Sequence, residues 1–267
     1  MNKVLHILSV RDQKPEMNET KQPWDEQVKE KVMKLKRLKR MGISCLIAGV
    51  FSVGVLYAGD SAATRLKTSA TVLTEIMGTP DQGIPQELLE NSHCIVIVPG
   101  MLKGAFIVGA QYGRGFMLCR QAAGTGWSAP AGVKVEGGSF GFQIGGSETD
   151  AIMLVMNEGG AEKLLSSKFT LGADASVAAG PVGRSTSANT DLKMQAEILT
   201  YSRSRGVFAG VALDGATLRP DEEANAELYG SKLTNKEIVM GKTKAPAAAT
   251  QLRSELNRYS LRKEAKK

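Results

Sequence analysis

The chain has 267 residues, of which 42% are hydrophobic and 23% charged, an ordinary globular balance with enough apolar material to fill one or two cores. Its formal charge of +7 is uneven: residues 1–58 sum to +5, residues 59–230 to −5 and residues 231–267 to +7, so the basic balance comes from the two ends and gives no ground for a nucleic-acid surface on the body. Residues 100–150 hold 13 of the 29 glycines without a collagen period, which sets those glycines among apolar strands and argues for a curved, tightly packed sheet.

Residues 1–32 are polar and aperiodic, an odd prelude to a basic and then an apolar segment. Residues 29–40 are dense in Lys and Arg, residues 41–56 form a 16-residue uncharged apolar run, and Tyr57-Ala58-Gly59 closes it. A basic segment, an apolar run and a small residue describe an export signal, with cleavage expected after Ala58 and a mature chain beginning at or near Gly59. The expected location is the periplasm or cell envelope. An uncleaved membrane anchor is the alternative, although a span needs roughly 20 residues. Cys45 precedes most of the run and does not read as a lipidated cysteine. Met33 opens a signal of normal length by itself, and translation is expected to start there.

Residues 61–77 place Leu66, Ala70, Leu73 and Met77 on one helical face between a Ser start and a Gly78/Pro80 stop, which predicts an amphipathic helix. A short helix should follow Pro85. Strands are then expected at 94–98, 105–111, 115–120, 131–136, 140–144, 151–156, 175–179, 197–202 and 207–213, with Gly137-Gly138-Ser139 as a hairpin turn between the fourth and fifth. Residues 158–166 and 221–230 read as short helices. From Ser231 the Lys-rich sequence reads as a basic tail, a linker with at most a weak helix over 251–263. The fold class is α+β, a strongly curved antiparallel β-sheet or partial barrel with an N-terminal amphipathic helix and short peripheral helices. The expected organisation is an extension and signal over 1–58, one domain over 59–230 and a tail over 231–267.

Three stretches carry a resemblance. WSAPA from Trp127, GGSFGFQIGG, Thr149-Asp150 and the following LVMN, then LGADASVAAGPVGR over 171–184 and YSRSRGVFAGVALDG over 201–215, resemble in the same order the signature of the SYLF-domain family. About residues 61–230 are covered. The resemblance implies a lipid-binding class, with actin association in fungal members, and no defined catalytic site. It also opens a second role for the Leu66, Ala70, Leu73 and Met77 face, membrane contact, beside the plainer one of packing on the sheet.

Chemistry is sparse. The two histidines are His6, ahead of the signal, and His93, so His-based triads and HExxH zinc sites have no material in the mature domain. Neither a GxxxxGK[ST] loop nor a GxGxxG opening a helix occurs. No metal and no cofactor are expected. Cys94 and Cys119 either pair as a disulfide or sit as two buried thiols. Gly180-Pro181-Val182-Gly183-Arg184 with Ser185 is the best anion-contact candidate, since small residues expose backbone N–H groups, Ser185 adds a hydroxyl and Arg184 a planar fork; an ordinary glycine-proline turn is the alternative. Arg203 with Arg205 forms a second candidate and Lys103 a third. Asp150, Asp174, Asp191 and Asp214 follow or lie in turns, where they cap a turn or bind a cation. The expected function is therefore an exported, non-catalytic domain that binds anionic lipid or phosphorylated head groups. The alternative is a structural or stress-related envelope protein whose partner is another protein.

Overall fold

The computed structural model describes residues 60–79, 83–106, 108–121, 126–140, 145–183, 196–204, 207–210, 213 and 215–260. The expected signal, its cleavage site and the Met33 start lie outside these residues, as do Arg184, Ser185, Arg205, Asp191 and Asp214. Among the described residues no helix is long and apolar enough to cross a membrane.

One nine-stranded sheet, curled into a half-barrel, organises the domain. Its strands are β1 (Cys94–Phe106), β2 (Val108–Cys119), β3 (Ala131–Phe140), β4 (Gly145–Val155), β5 (Phe169–Thr170), β6 (Val177–Ala179), β7 (Ile198–Ser204), β8 (Val207–Gly210) and β9 (Thr217–Pro220). The order is β5-β9-β3-β2-β1-β4-β7-β6, with β8 also on β7. Among the described strands all pairings are antiparallel except β6 with β7, a departure from the antiparallel sheet expected. The continuous apolar run Cys94-Ile95-Val96-Ile97-Val98 at the centre of the sheet is buried on both faces, as a strand covered from two sides must be.

On one face Ile95, Ile97, Phe116, Leu118, Ile152 and Leu154 pack under helix α1 (Ala62–Met77), α2 (Gln86–Asn91) and the C-terminal helix α6 (Thr250–Tyr259). On the other, Val96, Val98, Met117, Val133, Met153 and Val155 meet Leu164 of α3 (Glu158–Leu164), Phe169 and Ile238 of α5 (Asn235–Met240). Helix α4 (Glu222–Tyr229) lies against β3.

Ser61 caps α1 as its start signal predicts, its hydroxyl accepting from Thr64 N at 3.1 Å. Leu66, Ala70 and Leu73 are completely buried, and Met77 packs partly buried against the same core. The apolar face of α1 is therefore a core face. The membrane-contact role for it is corrected: exposing Leu66 and Leu73 would forfeit about 1.5–3 kcal/mol each.

Two further corrections concern glycine. The expected strand 94–98 continues through Pro99-Gly100 as a bulge to Phe106 in β1, and the expected strand 105–111 is divided between the end of β1 and the start of β2, which also takes in most of the expected 115–120; Gly100 takes φ +59°, and opposite Pro99-Gly100 stands Asp150 alone. Strand β2 closes against this bulge at Gly115, where a Cβ would fall 2.0 Å from the Ile97 carbonyl oxygen. Gly115→Val is expected to destabilise the domain by at least about 3 kcal/mol, measured by denaturant unfolding. Second, Gly137-Gly138-Ser139 is not a turn. These residues lie inside β3 opposite Gln111, Ala110 and Gly109, and the Gln111 side chain occupies the space a Cβ on Gly137 would need.

The largest correction is at the C-terminal end. Residues 231–260 are not a linker: α5 carries a capping box between Thr234 and Glu237, and Leu252 and Leu256 of α6 are completely buried against α1. Ile238 and Val239 of α5 and Leu252 and Leu256 of α6 join the same two cores as the strands.

Candidate functional site

The signature residues turn out to be joints. Trp127 is fully buried; its indole N–H donates to Ser260 Oγ at 3.0 Å and its carbonyl accepts from Arg253 Nε and a terminal guanidinium nitrogen at 3.2 and 3.0 Å. The Arg120 guanidinium lies 4.2 Å from the centre of the Trp127 ring and donates to the Leu89, Glu90 and Ser260 carbonyls. The WSAPA stretch thus anchors α6. Asp150 plays the same part at the bulge, accepting from Gly100 N at 2.9 Å and from Arg203 Nε at 2.7 Å. Burial raises the Asp150 pKa, against the Gly100 hydrogen bond. Gly180 lies beneath the buried Tyr201 ring, where any Cβ would collide.

These contacts decide the sequence candidates. Arg203 also pairs with Glu75 of α1, so it is held between two carboxylates as a strut from α1 to β4. Lys103 sits opposite Gln111 and Ser147, half-buried, and desolvation lowers its pKa. Ser147 and Asp150 lie on opposite faces of β4, so Lys103 and Arg203 stand on opposite sides of the sheet. The structure does not bring them together as an anion site. Asp174 caps its turn, accepting from Thr170 N at 2.6 Å.

A different place gathers chemistry. At the sheet end where β1 begins and β2 ends, a cavity of about 730 Å³ is lined by His93, Cys94, Cys119, Arg120, Glu158 and the segment 239–243. Cys94 and Cys119 are directly opposite in the β1–β2 register and are joined as a disulfide. Met240, the last residue of α5, is 65% exposed at the rim; Lys242 lines the same cavity, and Lys236, Lys242 and Lys244, all within four residues of Met240 in the chain, are exposed. Lys236 lies one helical turn before Met240, so both project from one side of α5. Sequence reasoning missed this face because it took residues 231–267 for a tail. The usable signal was Thr234-x-x-Glu237 followed by Ile238-Val239, a capping box before an apolar pair. Among the described residues no group of three or more His, Cys, Asp or Glu is placed to hold a metal ion.

What the fold and the cavity define is an α+β half-barrel domain with helices on both sheet faces and a methionine-bearing cavity rim. The family model that matches, over residues 136–259, is Ysc84, described as "Las17-binding protein actin regulator". The chain is 32% identical over 199 residues to the human SH3 domain-containing YSC84-like protein 1, covering 74% of this chain and 57% of that one. It is 34% identical over 203 residues to Protein YSC84 of Saccharomyces cerevisiae, covering 72% and 42%. The chain belongs to the SYLF-domain (Ysc84) family. It spans about half the length of the curated relatives it matches.

Proposed function

We propose that this is an exported, non-catalytic lipid-binding domain of the cell envelope that recognises anionic head groups at the cavity beside α5. The observation that carries the reading is the exposed Met240 at the cavity rim with Lys242 in the same lining, and exposed Lys236 and Lys244 each four residues from Met240 along the chain. A large exposed apolar side chain is a mark of an interaction surface, and lysines around it reach phosphates while their stems lie along the apolar layer. Residues 59–230 sum to −5, whereas residues 231–249, which hold α5, carry four lysines against Glu237 and sum to +3, so the α5 segment is a part of the domain drawn toward an anionic bilayer. Export rests on the basic and apolar segments at 29–40 and 41–56.

A second reading keeps a protein partner. The description of the matching family names Las17 and actin regulation, and Leu102 and Tyr112 stand exposed at 54% and 44%, directly opposite each other, near the far end of the sheet. Glu148 and Glu136 flank them in the same row.

Vesicle flotation of the chain from Gly59 separates the two. Binding is expected on phosphatidylglycerol-containing vesicles, absent on phosphatidylcholine alone, and weaker as salt rises. Each basic residue near an anionic surface contributes about 1 kcal/mol, so Lys236→Glu/Lys242→Glu/Lys244→Glu should lose at least about 3 kcal/mol, on the order of 100-fold in affinity. All three side chains are exposed, so folding should be unaffected. Equal flotation on both vesicle types, or unchanged binding by the triple variant, would reject the lipid reading at this face.

A further inference from the structure

The Cys94–Cys119 disulfide occupies an unusual position for a structural staple. It joins two strands already paired along their length, and hydrogen bonds other than the sulfur–sulfur bond hold both strands at this end of the pairing. His93 N donates to Val155 O at 2.7 Å, Arg120 N to His93 O at 2.8 Å, Ser128 N to Cys119 O at 2.8 Å and Cys119 N to Ser128 Oγ at 3.1 Å. Neighbours Ile95 and Leu118 lie in a completely buried core. These contacts do not run through the sulfurs, so they are available to the backbone in the reduced form as well.

The bond also lies in the wall of a cavity. Both cysteines line the 730 Å³ cavity, a volume within the range of small-molecule sites. Their exposure differs: Cys119 is 7% exposed and Cys94 1%. Access is one determinant of which sulfur an incoming thiolate attacks. Lys242 lines the same cavity and favours an anionic reagent there.

We propose that Cys94–Cys119 is a thiol-exchange site, addressed through the cavity by a small-molecule thiol that attacks Cys119. The thiolate forms a bond to Cys119 Sγ as the Cys119–Cys94 bond breaks, and Cys94 leaves as a thiolate that takes up a proton. A second thiol then attacks the mixed disulfide. It releases Cys119 as a thiol and leaves the reagent as its own disulfide, so two electrons pass from two reagent thiols to the protein. Re-oxidation by the reagent's disulfide runs the same steps backward. The reduced pair keeps the sheet intact and changes only the cavity wall. This inference is independent of lipid binding, since its reagent is a thiol and its readout covalent.

The test uses the full chain carrying Cys45→Ser, treated with reduced glutathione in native buffer and quenched with acid, followed by peptide mapping by mass spectrometry. Glutathione should appear on the Cys119 peptide first, then both cysteines as free thiols, with the circular-dichroism spectrum unchanged. With glutathione disulfide, Cys94→Ser should become glutathionylated at Cys119 in the folded state, whereas Cys119→Ser should leave Cys94 unmodified until denaturant is added. Exchange only under denaturant, or first modification on Cys94, would overturn the proposal. Loss of the folded spectrum on reduction of the unsubstituted pair would do so too, because the bond would then be a structural staple.

Discussion

Deleting residues 231–267 is expected to unfold the domain, not to yield a folded body lacking a basic tail. The deletion removes Ile238, Ala249, Leu252 and Leu256, all completely buried, and Val239, which is nearly so. The large apolar side chains among them contribute about 1.5–3 kcal/mol each on burial, and their combined loss reaches the 5–15 kcal/mol that typically separates folded from unfolded domains. It also takes away the Ser260 and Arg253 groups that satisfy Trp127, leaving a buried indole N–H without a partner. Far-ultraviolet circular dichroism of the 59–230 fragment should show no cooperative thermal transition. A single substitution, Leu256→Ala, should cost about 2–5 kcal/mol in denaturant unfolding and leave a folded protein at low temperature. Charge reversal on exposed lysines is thus the way to probe electrostatics here, because the basic residues and the core share the same helices.

The second large effect is expected at Asp221. Its side chain is completely buried, receives Arg114 through Nε and a terminal nitrogen at 2.5 and 2.8 Å, lies 3.6 Å from Lys134 Nζ, and caps α4 by accepting from Ala224 N at 3.2 Å. Around it Asn225 accepts from Gly132 N at 2.7 Å and Asn235 donates to Gly132 O at 3.0 Å, so α4 and α5 are fixed to β3 through one small residue. Removing the carboxylate leaves the part-buried Arg114 without its main counter-charge, and Asp221→Ala should cost about 3–5 kcal/mol. Burial pushes the Asp221 pKa up, but the Arg114 hydrogen bond, the Ala224 N–H and the charges of Arg114 and Lys134 bring it below the ordinary carboxylate value of 3.8. A folded pKa below the unfolded one makes this contribution complete above the unfolded value and lost as pH falls through the folded one. Wild-type stability should therefore fall on acidification below about pH 4. The Asp221→Ala curve should be flatter in that window, as measured by chemical denaturation across pH.

How much of this was legible in the sequence depends on the range of the interaction that decides each element. Helix α1 could be read because its cap, its Leu66, Ala70, Leu73 spacing and its Gly78 stop are all local. The β1 core could be read because five apolar residues in a row have few alternatives. Asp221 at the head of α4 was visible as a helix start, though not as the counter-ion of Arg114, which is 107 residues away. The bulge at Pro99-Gly100 was missed because a proline-glycine pair is as consistent with a turn as with a bulge. What decides it is the register against Asp150 on β4. Gly137-Gly138 failed for the same reason, since the close approach of Gln111 from β2 is not written in β3. The C-terminal helices were obscured by the Lys-rich and Ala/Pro-rich sequence around them: Leu252 and Leu256 are a sparse pair at i and i+4, and their significance lies in the α1 face they cover. Arg203 looked like a free cation because Glu75 and Asp150 are distant in sequence. The candidate site was least legible, since its cavity is built from β1, β2, α3 and α5.

Amide hydrogen exchange on the vesicle-bound chain from Gly59 tests the membrane-facing claim most directly. Added protection on phosphatidylglycerol vesicles is predicted at residues 236–244 and at the cavity edges near His93 and Arg120, with residues 102–112 unchanged. Protection confined to residues 102–112, with 236–244 exchanging as in free protein, would contradict it and place the working surface at the opposite end of the sheet.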